Sequence, residues 1–353
     1  MSIDELYYDA IDLLKKMISI SSFSREEGEV ADYIENYIKQ KGFEPKRKGN
    51  NIWIQNKDFD KQKPTILFNS HIDTVKPVAG WTKNPFDPIT EDDKLYGLGS
   101  NDAGASLVSL MHSFFMLAAK PQNYNLVFLA SCEEEVSGKG GVELVLPDLP
   151  IPDFGIVGEP TGMHPAVAEK GLMVLDCTSI GRSGHAARNE GENAIYKAMK
   201  DIEWFRTIEF PQKSDLLGPV KLTVTMINAG TQHNVVPDKC TFVVDVRSNE
   251  LYSNEELFHL INKYTDCEVK PRSFRLNSSR ISLDNPFVQR ATMIGKVPYG
   301  SPTLSDQALM SFPTVKMGPG DSARSHTADE YIMLDEIREA IELYVKLLDG
   351  LFF

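Results

Sequence analysis

Cysteine is scarce in this chain. The four residues, Cys132, Cys177, Cys240 and Cys267, are widely spaced and form no Cys-x-x-Cys pair. That spacing argues against a thiolate zinc site and offers no disulfide framework, so the thiols are expected to be reduced and mostly buried in a cytoplasmic protein. Long apolar runs are missing too, none approaching the roughly 20 residues that cross a bilayer. The start, Met1-Ser2-Ile3-Asp4-Glu5, has neither the basic stretch nor the apolar core of a signal peptide. Basic residues are outnumbered, 37 Lys and Arg against 50 Asp and Glu, and the net charge of -13 argues against nucleic acid or an anionic membrane as partner. No repeat or low-complexity tract is visible.

What is present is enough apolar sequence for more than one core, since 353 residues exceed what one core usually holds and 42% of them are apolar. Several short apolar runs end in a histidine or a carboxylate. Pro64 to Ser70 ends in His71-Ile72-Asp73, Asn125 to Ala130 in Ser131-Cys132-Glu133-Glu134-Glu135, and Phe154 to Val157 in Gly158-Glu159-Pro160. Thr314 to Gly318 leads later to Ser325-His326, and Asp102 opens the apolar helix expected from Ser106 to Ala119. Continuous apolar runs interleaved with helices predict a sheet covered on both faces, with ligands gathering outside the carboxyl ends of its strands. Near the N-terminus, Ser24-Arg25-Glu26-Glu27 resembles a shifted capping box for a second helix. From about Gly171 to Arg280 the order is β-α-β-β-α-β, that of a ferredoxin-like unit. The reading is a two-domain α/β protein: a discontinuous domain, residues 1–170 and 281–353, with a mainly parallel sheet flanked by helices, and an inserted ferredoxin-like α+β domain, residues 171–280.

Along one sheet edge this places His71, Asp102, Glu134 or Glu135, Glu159 and His326. Histidine and carboxylate without thiolate suit zinc, manganese or cobalt. Asp73, two residues past His71, can fix the imidazole tautomer. Five such ligands hold two ions if one carboxylate bridges, the arrangement that activates water for hydrolysis, and a further carboxylate then shuttles the proton. Each piece alone has an ordinary reading: a surface histidine, a solvated acidic loop, a Gly-Glu-Pro turn. Together, at successive strand ends, they favour a metal site.

Further motifs complete an ordered set: Gly97-Leu98-Gly99-Ser100-Asn101-Asp102, Ser183-Gly184-His185, Asn234-Val235-Val236-Pro237-Asp238, Asp245-Val246-Arg247 and Gly318-Pro319-Gly320. With the strand ends above, the chain resembles, over nearly its whole length, the metal-dependent amidohydrolases and exopeptidases that include acetylornithine deacetylase, succinyl-diaminopimelate desuccinylase, aminoacylase and carboxypeptidase G. By that resemblance two zinc ions, with cobalt or manganese as substitutes, are held by His71, Asp102 and Glu159 and by Asp102, Glu135 and His326. Glu134 is then the general base and acid, Asp73 orients His71, and the Asp102-Ala103 peptide is cis. The family often has Lys-Gly-Gly after the bridging aspartate, where this chain has Ala103-Gly104-Ala105.

The inserted domain resembles the family's lid and dimerisation domain. The likeness implies a homodimer in which His185 reaches the partner's site to stabilise the oxyanion, with Arg247 and Asn234 binding the substrate carboxylate. Within the family, Gly158-Glu159-Pro160-Thr161 with Lys170-Gly171, and Gly318-Pro319-Gly320 with His326 and Asp329-Glu330-Tyr331, look most like acetylornithine deacetylase. The implied reaction is hydrolysis of an N-acyl amino acid in arginine biosynthesis: N2-acetylornithine, N-succinylornithine or N-acetylcitrulline. Succinyl-diaminopimelate desuccinylase comes next, then a di- or tripeptidase. A non-catalytic binding protein is disfavoured by the intact ligand set.

Overall fold

The computed structural model describes residues 2–188 and 190–352. The first helix, Ile3–Ile18, starts with a capping box: the Glu5 N–H donates to Ser2 Oγ (3.2 Å) and the Ser2 N–H to Glu5 Oε2 (2.7 Å). Its buried stripe, including Leu6, Ala10, Leu14 and Met17, has helical spacing and faces the protein interior.

The central sheet runs in the order Lys46–Lys48, Asn51–Gln55, Asn125–Ser131, Thr65–His71, Phe154–Val157, Thr314–Lys316. Thr65–His71 is parallel to both neighbours, with His71 opposite Ser131 and Asn69 opposite Val157, and Thr314–Lys316 is parallel to Phe154–Val157. Asn51–Gln55 pairs antiparallel with Asn125–Ser131, and Lys46–Lys48 lies antiparallel outside it at the edge. Both long central strands are buried at every residue because each face has a cover. On one face Leu67, Val127, Leu129 and Val157 pack with Trp53, Val142 and Val145. On the other, Phe128 meets Phe114 of the helix Ala105–Leu117, ring centroids 6.4 Å apart. That helix is buried almost all round, since Ile3–Ile18 and Leu334–Leu348 also pack against it. Each fully buried Phe here contributes about 1.5–3 kcal/mol relative to exposure.

The parallel strands all point their carboxyl ends the same way, which is what assembles the site. The chain enters the Ala105–Leu117 helix through Ser100–Gly104, where the Asp102-Ala103 peptide is cis, as the family likeness implied. Gly104 is required there: a Cβ would sit 2.5 Å from the Gly99 carbonyl oxygen.

The second unit comprises residues 168–279 with 300–304. The short 300–304 segment, assigned from sequence to the first domain, groups here because Lys170 N–H donates to the Ser301 carbonyl (3.1 Å) and Gly300 lies against the Leu216 backbone. Four antiparallel strands lie in the order Lys221–Ala229, Lys239–Arg247, Met173–Ile180, Glu268–Pro271, with helices Ala194–Thr207 and Asn254–Tyr264. This is the ferredoxin-like arrangement. Burial alternates along Met173–Ile180, whose Leu175 and Cys177 join Phe205, Phe242, Val244 and Leu257 in a separate core. The chain is thus α/β with a mainly parallel sheet and a smaller α+β unit inserted in it. All four cysteines are buried and free, and among the described residues no helix is long and apolar enough to cross a membrane.

Candidate metal centre

His71 ends its strand 1% exposed, so its ring must be satisfied from inside. Nδ1 lies 2.9 Å from the Asp73 carbonyl oxygen, which can only accept; that nitrogen carries a proton and Nε2 is directed at Asp102 Oδ1 (3.3 Å) and Glu159 Oε1 (3.6 Å). The Asp73 carboxylate is farther from the ring, 3.5 Å from Nδ1, and does more elsewhere. It accepts from Ser24 Oγ (2.7 Å) and from the backbone N–H groups of Glu134 (3.0 Å) and Glu135 (3.1 Å). One buried aspartate therefore fixes both the imidazole and the glutamates.

Asp102 faces two imidazoles, Oδ1 towards His71 and Oδ2 3.6 Å from His326 Nε2. His326 Nε2 also lies 2.9 and 3.1 Å from the two oxygens of Glu135. His71, Asp102 and Glu135 offer ligand atoms within 4.8 Å of one another, and so do His71, Glu134 and Glu159.

The three adjacent glutamates diverge. Glu133 has φ 55°, and its carboxylate turns away to accept the Gly140 N–H (3.3 Å). Side chains at 138 or 140 would collide with it, a Cβ falling 1.8 or 2.2 Å from its oxygens. Glu134 and Glu135 are left to face the histidines. Glu27, fully buried, holds this turn from below, accepting from the N–H groups of Arg25 (2.6 Å) and Glu133 (3.2 Å) and from Asn50 Nδ2 (3.0 Å). The sequence read Ser24 to Glu27 as a helix cap. The helix Gly28–Gln40 has no side-chain cap, and these residues serve the site instead. Two more carboxylates escaped sequence reading: Asp306, accepting from Ser131 Oγ (2.7 Å), and Glu330, accepting the N–H groups of Gly99, Asn101 and Asp102. Acidic residues in turns are too common to stand out without the fold.

So many acids share this edge that their charges conflict. Burial, with the charges of Glu159, Asp306 and Glu135, pushes Glu134 well above the usual carboxylate range, against the pull of His71. Burial and Asp102 push Glu159 up to about 8, burial and Asp102 push Glu330 up to about 8, and burial raises Asp306 to about 6. Asp102 stays low despite burial, because His71 and His326 flank it. His326 is raised to about 9 by its bond to Glu135. Buried Glu159 Oε1 has no hydrogen-bond partner. An orphaned carboxylate oxygen, crowded anions and imidazoles directed at them are the donor set a hard or borderline cation fits.

The model for peptidase family M20/M25/M40 matches residues 67–350. The chain belongs to this family. It is 28% identical to a putative succinyl-diaminopimelate desuccinylase of Mycobacterium tuberculosis, covering 98% of this chain and 99% of that one. It is also 28% identical to a LysW-lysine/LysW-ornithine hydrolase of Sulfurisphaera tokodaii, over 96% and 95%. Among solved structures, a tripeptidase from Staphylococcus aureus shares the fold with a TM-score of 0.78 at 19% identity, over 97% of each chain. As a member of the M20/M25/M40 family the protein is a metallohydrolase that cuts amide bonds at a dinuclear metal site.

Three residues singled out in this M20-family chain belong to the second unit, while the cluster just described belongs to the first. His185 pairs with Val235 across a two-residue ladder, and its exposed ring accepts the Ala187 N–H at Nδ1 (3.1 Å). The Ala186 N–H donates to the Asn234 carbonyl (3.0 Å), so His185 and Asn234 are neighbours. Arg247 ends the nine-residue strand Lys239–Arg247, whose other end adjoins that pair. At about 3.4 Å per residue the two ends are roughly 27 Å apart. Arg247 and Asn234 do not face one another within one chain. Arg247 instead grips Asp245 through Nε (2.8 Å) and Nη2 (3.1 Å).

Proposed function

We propose that the protein is a deacylase of N-acyl amino acids acting in cytoplasmic arginine biosynthesis, with N2-acetylornithine as first substrate and N-succinylornithine and N-acetylcitrulline as close analogues. The observation that carries the catalytic reading is the Asp102 carboxylate, one oxygen directed at His71 and the other at His326. In this reading His71, Asp102 and Glu159 hold one zinc ion, and Asp102, Glu135 and His326 the other, with cobalt or manganese able to replace zinc. When bound, the ions polarise the amide carbonyl and acidify a water. Glu134 takes the proton from the attacking water and delivers it to the leaving nitrogen, a task favoured by a carboxyl whose pKa burial and its acidic neighbours raise. Asp73 keeps Glu134 and Glu135 in place through their backbone N–H groups. Arg247 of one copy and Asn234 of the second, which lies beside that copy's exposed His185, grip the substrate's carboxylate, and that His185 serves the oxyanion.

The homodimer this requires is supported by the open edge of Lys221–Ala229. Met226 and Ile227 are exposed there and the strand has a neighbour on one side only. A second reading, release of diaminopimelate from its N-succinyl form, is favoured by the name of the Mycobacterium tuberculosis relative. The test is a panel of N-acetylornithine, N-succinylornithine, N-acetylcitrulline, N-succinyl-diaminopimelate and di- and tripeptides, with chelator and with added zinc. Preference for an ornithine derivative with loss under chelation is the expected result. Preference for N-succinyl-diaminopimelate moves the assignment to the second reading, and turnover indifferent to chelator overturns the mechanism.

A further inference from the structure

Glu330 is a buried acid to which the catalytic reading gives no task. It is 2% exposed and four residues beyond His326. Its Oε1 accepts the N–H groups of Asn101 (2.9 Å) and Asp102 (2.9 Å), and its Oε2 that of Gly99 (3.1 Å). Its own carbonyl accepts the Gly97 N–H (3.0 Å). The Asn101 side chain closes the same seam from the other side: Oδ1 accepts the Asp321 N–H (3.1 Å), while Nδ2 donates to the Asp321 carbonyl (3.1 Å) and to Ser325 Oγ (3.2 Å). The loop carrying Asp102 and the segment carrying His326 are thereby joined along residues 97–102 and 321–330.

From this geometry we infer that Glu330 is the positioning residue of the metal centre, one carboxylate that sets the bridging Asp102 against His326. The role rests on the two-ion reading above. Three N–H groups converge on the two oxygens of this one side chain, and together they define where the Asp102 backbone sits. Asp329, next in the chain, anchors the segment at its other side, accepting the N–H groups of Thr82 (2.9 Å) and Lys83 (3.1 Å) and the Thr82 hydroxyl (2.6 Å). With both ends of the segment tied, the 3.6 Å spacing between Asp102 Oδ2 and His326 Nε2 is a property of the frame. The ligands do not have to find it for themselves.

Glu330→Gln keeps the size and shape of the side chain but presents an NH2 group where one N–H needs an acceptor. Cobalt(II) titration of wild type and Glu330→Gln, followed by equilibrium dialysis and by the visible absorption of the bound ion, tests the role independently of turnover. The expected result is two ions per wild-type chain, with binding weakened about 10- to 100-fold in Glu330→Gln, and an altered cobalt spectrum. The thermal unfolding of the metal-free variant should stay close to that of metal-free wild type. Unchanged affinities and spectrum in the variant overturn the positioning role while leaving the two-ion reading intact. A wild type that binds no cobalt overturns both. Should Glu330→Gln fail to fold, hydrogen exchange in metal-free wild type decides: slow exchange at Gly99, Asn101 and Asp102 supports the role, and exchange at the rate of an open loop overturns it.

Discussion

His71 and His185 both have a part in the proposed reaction, and they live in opposite surroundings. His71 is 1% exposed, with the Asp73 carbonyl on one ring nitrogen and two carboxylates before the other. His185 is exposed on a short two-strand ladder, with a local N–H on Nδ1 and no charged group fixed beside its ring by any described contact. The first unit spends its burial on charge, held by hydrogen bonds that leave Glu159 Oε1 without a partner where a cation fits. The second has an apolar core and keeps its chemistry at the surface, where a side chain is free to meet something from outside its own unit. In the proposed reading the work is divided: metal ligands on strand ends, and recognition on an inserted module.

The largest effect should come from the charged side of that contrast. Chelation is expected to abolish hydrolysis and lower the melting temperature, with zinc restoring both. Glu134→Ala should cost about 10²- to 10⁴-fold in kcat with metal content unchanged by elemental analysis. A Glu134→Ala enzyme of normal rate would remove the residue from the mechanism. His185→Ala should then cost about 10²- to 10³-fold in kcat with an unchanged melting temperature, because nothing packs on it. Mixing His185→Ala with Glu134→Ala chains should bring activity back, since hybrid dimers contain one site with both groups intact. A mixture as inactive as its parents would confine His185 to its own chain.

Smaller still is Arg247→Lys, which loses the planar fork and should raise KM about tenfold with a lesser change in kcat. An unaltered KM would leave Arg247 as the surface partner of Asp245. The smallest effect probes buried charge away from the site. Although burial opposes it, hydrogen bonds from His112, Lys41 and Tyr37 hold the Asp9 carboxyl well below the usual range. A depressed carboxylate adds stability above its unfolded pKa of about 3.9 and loses it as pH falls through the folded value. The melting temperatures of wild type and Asp9→Asn should therefore differ at pH 7, and the gap should begin to narrow only below about pH 4. A gap constant with pH would show that the Asp9 charge contributes nothing.

The sheet and its ligand edge were legible because fully covered parallel strands need unbroken apolar runs, and a carboxylate or histidine at the end of such a run has few reasons to be there. In the inserted unit, Lys239–Arg247 and Asn254–Tyr264 carry equally plain signals, strong alternation in one and helical spacing behind a capping box in the other. Ser24, Glu27, Asp306 and Glu330 were not legible. Each is polar, sits in a turn or at a helix start, and has a partner far along the chain: 49 positions for Ser24–Asp73, 106 for Glu27–Glu133, 175 for Ser131–Asp306 and 228 for Glu330–Asp102. Ser24 was even misread, since a serine followed by glutamates looks the same whether it caps a helix or supports an aspartate.

The sequence by itself determined the kind of molecule: an α/β chain with an inserted ferredoxin-like unit, and a set of imidazoles and carboxylates suited to metal. Periodicity and the chemistry of side chains are local properties, and they survive in a one-dimensional string. Tertiary structure alone decided which acid does what. Glu133, Glu134 and Glu135 are chemically identical, and only the turn at Glu133, the N–H groups given to Asp73 and the glycines at 138 and 140 separate an anchor from a candidate base and a candidate ligand. A carboxylate's role depends on its distance to other charges, and chain order does not encode that distance until the chain has folded.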